Sequence, residues 1–180
     1  MAVFPPSAFW DFSLALYARA GVPEVCLRLQ ARHGVDVNLL FFCLWVGHAH
    51  GGMLDRAAVE RLKARVRAIH DDVVRPLRAA RTALKPMVAE ASGEFGAMLG
   101  RLRAEVKRIE LDAEHIEQLM LDAERPSLAA SAAAVAPRDA ARANAETYLA
   151  ALDVSPDASD RADLATLIAA LDGAESRTKP

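Results

Sequence analysis

The sequence predicts an all-α protein: three short N-terminal helices packed on a long antiparallel helical hairpin, then a loosely attached C-terminal helical arm. Three observations predict it. Alanine, the strongest helix former, supplies roughly a fifth of the chain, well above ordinary usage. Only 6% of the residues are aromatic and only 9 are glycine. Apolar residues recur at three- and four-residue spacing through most of the chain, the period of an amphipathic helix.

The first helix is expected over about residues 7–20, with Ser7 as its cap and Pro5-Pro6 preventing extension backwards. Phe9, Phe12, Leu16 and Ala20 form one stripe, beside Trp10, Ser13 and Tyr17. Gly21 ends it. Val22-Pro23 restarts the chain into a second helix that runs to His33 and stops at Gly34. Asp36 then caps a third helix, from Val37 to about His48. That helix is apolar nearly all round, so it should be central, with neighbours on several sides. A fourth helix starts near Asp55 and carries Val59, Leu62, Val66, Ile69, Val73, Leu77 and Leu84, with Pro76 expected to kink or split it. A break is expected at Lys85-Pro86. The fifth helix reads Phe95, Leu99, Leu102, Val106, Ile109, Ala113, Ile116, Met120, a sustained heptad-like spacing. Two such helices with a short connection form an antiparallel hairpin. A homodimer built through the same seam is the rival explanation.

Beyond Arg125-Pro126 the composition changes. The domain reading is a helical core over 1–125, an Ala/Ser-rich linker over 126–137, and a C-terminal arm over 138–180 with a frayed end. Two short helices are expected in the arm, over about 138–152 and 159–171. The second presents Leu164, Leu167, Ile168 and Leu171 on one face, a candidate partner-binding stripe.

Composition also excludes. There are 22 Lys+Arg against 24 Asp+Glu, a net charge of −2, which argues against a dedicated nucleic-acid binder. The longest apolar run, Val37 to Val46, is half the length of a membrane span. No Walker loop, Rossmann fingerprint, paired CxxC or HExxH occurs. Cys26 and Cys43 sit in apolar helical runs and read as reduced core thiols of a cytoplasmic protein.

Local chemistry is sparse. Cys43 with His48 and His50 has poor spacing for metal, and Asp112-x-x-His115 with Glu110 and Glu114 lacks matching acids in the first three helices. No metal and no cofactor is expected. His33 reads as a helix-terminal histidine and His70 as a surface or rim one. The fourth helix is basic and the second half of the fifth is acidic. The simplest reading is complementary charge that fixes helix pairing. The sharper one is an anion-binding face on Arg75, Arg78, Arg81 and Lys85.

Several motifs then carry a resemblance: Phe9-Trp10-x-Phe12-Ser13-x-x-x-Tyr17; Cys26-Leu27-x-Leu29-Gln30; Gly34-x-Asp36-Val37-Asn38-Leu39-Leu40-x-Phe42-Cys43-x-Trp45; Pro76-Leu77-Arg78-x-x-Arg81-x-x-Leu84-Lys85; and Glu110-Leu111-x-x-Glu114-x-x-x-Gln118. Over residues 7–122 the chain resembles an uncharacterised family of short bacterial proteins, catalogued as a domain of unknown function. The resemblance implies a bacterial, cytoplasmic, helical protein and no particular activity. Its polar motif residues (Ser13, Gln30, Asp36, Asn38, Arg78, Arg81, Glu110 and Glu114) form either a buried network or a ligand site.

Two functions follow as expectations. The first is a non-catalytic helical adaptor or regulatory protein that binds a protein partner through the charged hairpin face, the C-terminal helix, or both. The alternative is a small-molecule-binding or catalytic bundle with a pocket lined by Trp10, Tyr17, Asn38, Trp45, Arg78 and Glu114.

Overall fold

The computed structural model describes residues 4–128 and 135–173. The described secondary structure is entirely helical, and it falls into two compact units. The bundle unit holds Pro5–Arg65 and the described residues from Gln118 onwards; the hairpin unit holds Phe4 and Val66–Glu117.

The bundle unit begins with α1 (Ala8–Tyr17), α2 (Val22–His33) and α3 (Val37–His50). Ser7 caps α1 by accepting from the Trp10 N–H at 3.2 Å. Gly21 and Gly34 flank α2 with φ of 81° and 65°, left-handed values that glycine adopts without strain. Asp36 caps α3 through the Asn38 N–H at 2.9 Å and the Leu39 N–H at 3.3 Å. The expected central role of α3 holds: every residue from Leu39 to Val46 is at most 5% exposed.

The C-terminal helices join this core in a way the sequence reading did not anticipate, the first packing along α3 and the second against α2. They are α7 (Pro137–Ala150) and α8 (Ala158–Ala170). The loosely attached arm is corrected to a core element. Along α7, Ala140, Ala141 and Ala145 are each 0% exposed, and α3 meets them with Gly47. A Cβ at Gly47 would lie 2.3 Å from the Ala141 nitrogen, so the two backbones touch. Alanine here is a packing device that permits close helix approach, not only a helix former. Asn144, fully buried, accepts from the Leu54 N–H at 2.7 Å and donates to the Cys43 and Gly52 carbonyls at 3.1 and 2.8 Å. It satisfies the Leu54 N–H and the Gly52 carbonyl in the loop that follows α3, and ties them to the Cys43 carbonyl inside that helix. Half of the expected linker, residues 129–134, lies outside the described residues, as does all of the expected frayed end over 174–180.

Helix α4 (Arg56–Ile69), whose first ten residues belong to the bundle unit, passes into a π-helical turn, His70–Val74, and then α5 (Arg75–Glu90) of the hairpin unit. Pro76 explains the turn. Proline has no N–H and its ring crowds the carbonyl four residues back. The wider turn accommodates this, with the Arg75 N–H donating to the His70 carbonyl. The expected break at Pro86 is absent; α5 runs through it to Glu90. The reversal comes at Ala91-Ser92, and Gly93 (φ 61°) opens α6 (Gly93–Glu124).

Candidate functional site

In the bundle unit the candidates occupy structural positions. The Tyr148 hydroxyl accepts from the Asp36 N–H at 2.9 Å, and the Gln118 amide donates to the Asn38 side-chain oxygen at 2.8 Å. Both contacts are buried. Trp45 is 5% exposed and stacks on Phe9 at 5.3 Å, so it belongs to the core. Ser13 is buried, Trp10 and Gln30 are half-buried, and Tyr17 is 44% exposed, 6.4 Å from the Phe41 ring. Arg78 and Glu114, expected to share a pocket with these residues, belong to the hairpin unit.

The candidate partner-binding stripe is also corrected. Leu164, Leu167, Ile168 and Leu171 are 1%, 0%, 5% and 0% exposed, packed inside their own chain. A charged clamp holds α8 against α2 nearby. Arg28 donates to Asp163 at 2.5 Å, Arg32 reaches Asp160 at 3.0 Å and Asp163 at 2.5 Å, and His33 meets Asp160 at 2.8 Å. Sequence reading missed this cluster. Its two halves lie about 130 residues apart and share no local spacing.

The clamp predicts acid sensitivity. Burial alone would raise the Asp160 carboxyl, but hydrogen bonds from His33 and the Asp157 N–H, with Arg32 nearby, hold it below its usual range. A carboxylate held low in the fold contributes stability above its unfolded value of about 3.9, and that contribution vanishes as pH falls through the folded value. Thermal melts of wild type should therefore steepen in their pH dependence below about pH 4. Asp160→Asn should lose stability at neutral pH and show a flatter acid limb. Parallel acid limbs would remove Asp160 from the account.

In the hairpin unit, Arg78, Arg81, Glu110 and Glu114 come together. Arg78 donates to Glu110 at 3.2 Å and to Glu114 at 2.5 Å, and Arg81 chelates Glu110. Glu110 is 5% exposed. Burial pushes the Glu114 carboxyl up, and Arg78 offsets part of that shift. Burial would lower Arg78, but its two glutamates raise it. These groups neutralise one another across α5 and α6. That favours charge-directed helix pairing over an anion-binding face on Arg78 and Arg81. His70 is also less peripheral than expected, with Nδ1 3.0 Å from the fully buried Glu117.

Glu110→Ala should destabilise the chain by about 2–3 kcal/mol, because two guanidiniums lose their shared partner. Glu110→Gln should cost less, since it keeps an acceptor. Denaturant titration with hydrogen exchange in α5 and α6 measures both. An unchanged Glu110→Ala midpoint would show that the carboxylate has no structural role.

The heptad pattern of α6 resolves into two stripes. Leu99, Val106 and Met120 are half-buried and Ala113 is 6% exposed, on the inner side. Phe95, Leu102, Ile109 and Ile116, also seven apart, are 77%, 51%, 43% and 42% exposed. Met98 adds to this outer stripe at 50%. Hairpin packing therefore consumes half of the apolar seam and leaves the other half in solvent.

A family model described as a protein of unknown function (DUF2390) matches residues 8–121. The chain belongs to this family. No curated protein and no solved structure matches it. The DUF2390 region holds α1 to α5 and most of α6, whereas α7, which packs along α3, and α8, which packs on α2, lie beyond it. Within the DUF2390 region, burial pushes the Cys26 thiol up to about 12 and raises that of Cys43. Both stay protonated and poorly nucleophilic at neutral pH. Among the described residues, neither Cys43 with His48 and His50 nor Asp112 and His115 with Glu110 and Glu114 brings three ligand atoms within coordinating reach. No helix of the described residues is long and apolar enough to cross a membrane.

Proposed function

We propose that this DUF2390 protein is a non-catalytic helical adaptor or regulator of the bacterial cytoplasm, and that it binds a protein partner through the outer stripe of α6. The observation that carries the reading is the exposure of Phe95, Leu102, Ile109 and Ile116 at constant seven-residue spacing. Isolated exposed apolar residues are ordinary, but a contiguous helical stripe is a docking feature. The mutual neutralisation of Arg78, Arg81, Glu110 and Glu114 supports the same reading, because it leaves those groups committed to each other and not to a substrate.

The test replaces Leu102 with a photo-crosslinking amino acid in cells. A matched chain carries it at Leu27, an exposed position (59%) outside the stripe. The reading expects a discrete adduct from position 102 that position 27 does not give. Equal or absent crosslinking at both positions would overturn it.

A further inference from the structure

The outer stripe has a counterpart on α5 and its preceding turn. Val73, Ala80 and Met87 are spaced by seven and exposed, Val73 at 41% and Met87 at 52%. On α5 the stripe lies four residues before the inward-facing Leu77 and Leu84. On α6, Phe95 and Leu102 likewise lie four residues before Leu99 and Val106. Two antiparallel helices whose outer stripes have the same offset from their inner stripes present both on one side of the hairpin. The register set by His70 on Glu117 and Arg78 on Glu110 then places Val73 opposite Ile116, Ala80 opposite Ile109, and Met87 opposite Leu102. The hairpin thus carries an apolar two-helix face. From Phe95 to Ile116 it is roughly 30 Å long at about 1.5 Å per residue.

Charge selects the occupant. Glu110, Glu114 and Glu117 are engaged within the hairpin, but along the flank of the outer stripe α6 carries Arg101, Glu105, Arg108 and Asp112, alternating in sign. The helix whose charge order complements this, laid antiparallel, is α6 itself. With Leu102 of one copy against Ile109 of the other, Phe95 meets Ile116, and Arg101 and Arg108 come beside Asp112 and Glu105 of the second copy. Two-fold symmetry makes each contact twice. The present intrahelical pairs of Arg108 with Glu105 and Asp112 are exposed and exchange at little cost.

We propose that the partner of the outer stripe is a second copy of this chain, and that two hairpins pack face to face as an antiparallel four-helix bundle. This rests on the stripe being a docking surface, as argued above, and adds the identity of what docks.

Sedimentation of the full chain from about 1 µM to about 100 µM tests it. The expected result is a dimer that dissociates on dilution. Leu102→Glu with Ile109→Glu should be monomeric, and because both positions are solvent-exposed, its circular dichroism should match wild type. A charge-swap pair gives a second readout. Chains carrying Arg101→Glu and Arg108→Glu should self-associate more weakly, as should chains carrying Glu105→Arg and Asp112→Arg. The two mixed should recover dimer as a heterodimer. A wild-type chain monomeric throughout, or a dimer indifferent to Leu102→Glu with Ile109→Glu, overturns the proposal. If the protein is monomeric but the crosslinker at position 102 captures a different protein in cells, the second copy is refuted and the adaptor reading survives. If it captures nothing, both fail.

Discussion

A chain ended after Leu128 should lose its folded bundle. Truncation there removes Tyr148, Leu149, Leu164, Leu167, Ile168 and Leu171, each at most 5% exposed. Burial of a large apolar side chain contributes about 1.5–3 kcal/mol, so the loss is on the order of 10 kcal/mol. That matches the entire stability of a typical domain, about 5–15 kcal/mol. The cut also strips α3 of the Asn144 side chain that satisfies the Leu54 N–H and the Cys43 and Gly52 carbonyls. The truncated protein should show poor amide dispersion by NMR, no cooperative melt, and dye binding typical of exposed apolar surface. A dispersed spectrum from residues 1–128 would mean that α7 and α8 are accessory after all.

The second large effect is expected from one methyl group. Gly47→Ala puts a Cβ 2.3 Å from the Ala141 nitrogen and 2.5 Å from its Cα. Those atoms are helix backbone and cannot swing aside, so α3 and α7 must separate along the most buried seam of the bundle. The expected cost is about 3 kcal/mol, at the upper end for overpacking. For a chain of this size that lowers the melting temperature by roughly 6–12 °C. Gly100→Ala is the control. It sits within α6, where an added Cβ meets nothing within 4 Å. There the better helix propensity of alanine should leave stability unchanged or raise it by up to about 1 kcal/mol. Differential scanning calorimetry of both variants separates a packing clash from a general intolerance of substitution. Equal melting temperatures would refute the close contact.

Much of the local architecture was legible from residue order. Ser7 and Asp36 announce helix starts and Gly34 announces the end of α2, whereas the first helix stops at Tyr17, short of Gly21, which instead opens α2. The unbroken apolar run of α3 announces a helix with neighbours all round. Proline was the poorer guide. Pro76 and Pro86 carry the same local chemistry, yet one sits just after a π turn and the other lies inside a continuous α-helix. Residue identity at the proline therefore does not distinguish a π turn from a continuous helix. The candidate site was half legible. Arg78, Arg81, Glu110 and Glu114 were named from their motif and do meet. The clamp of Arg28, Arg32 and His33 on Asp160 and Asp163 was invisible, because its partners lie on helices far apart in the chain.

Alanine and the heptad repeat mark the division between the two levels. Both are properties of the sequence alone, and together they determined that this protein is helical and that α6 has an apolar seam. The sequence could not say what each alanine or each heptad position faces. In α7 the alanines form a shallow surface against which Gly47 seats α3, where composition alone suggested a slack arm. In α6 a single seven-residue rhythm proved to be two stripes, Leu99 and Val106 turned inward and Leu102 and Ile109 turned out. Periodicity fixes which residues share a side of a helix. Only the position of neighbouring helices decides which side is buried, and here that leaves one apolar side in solvent.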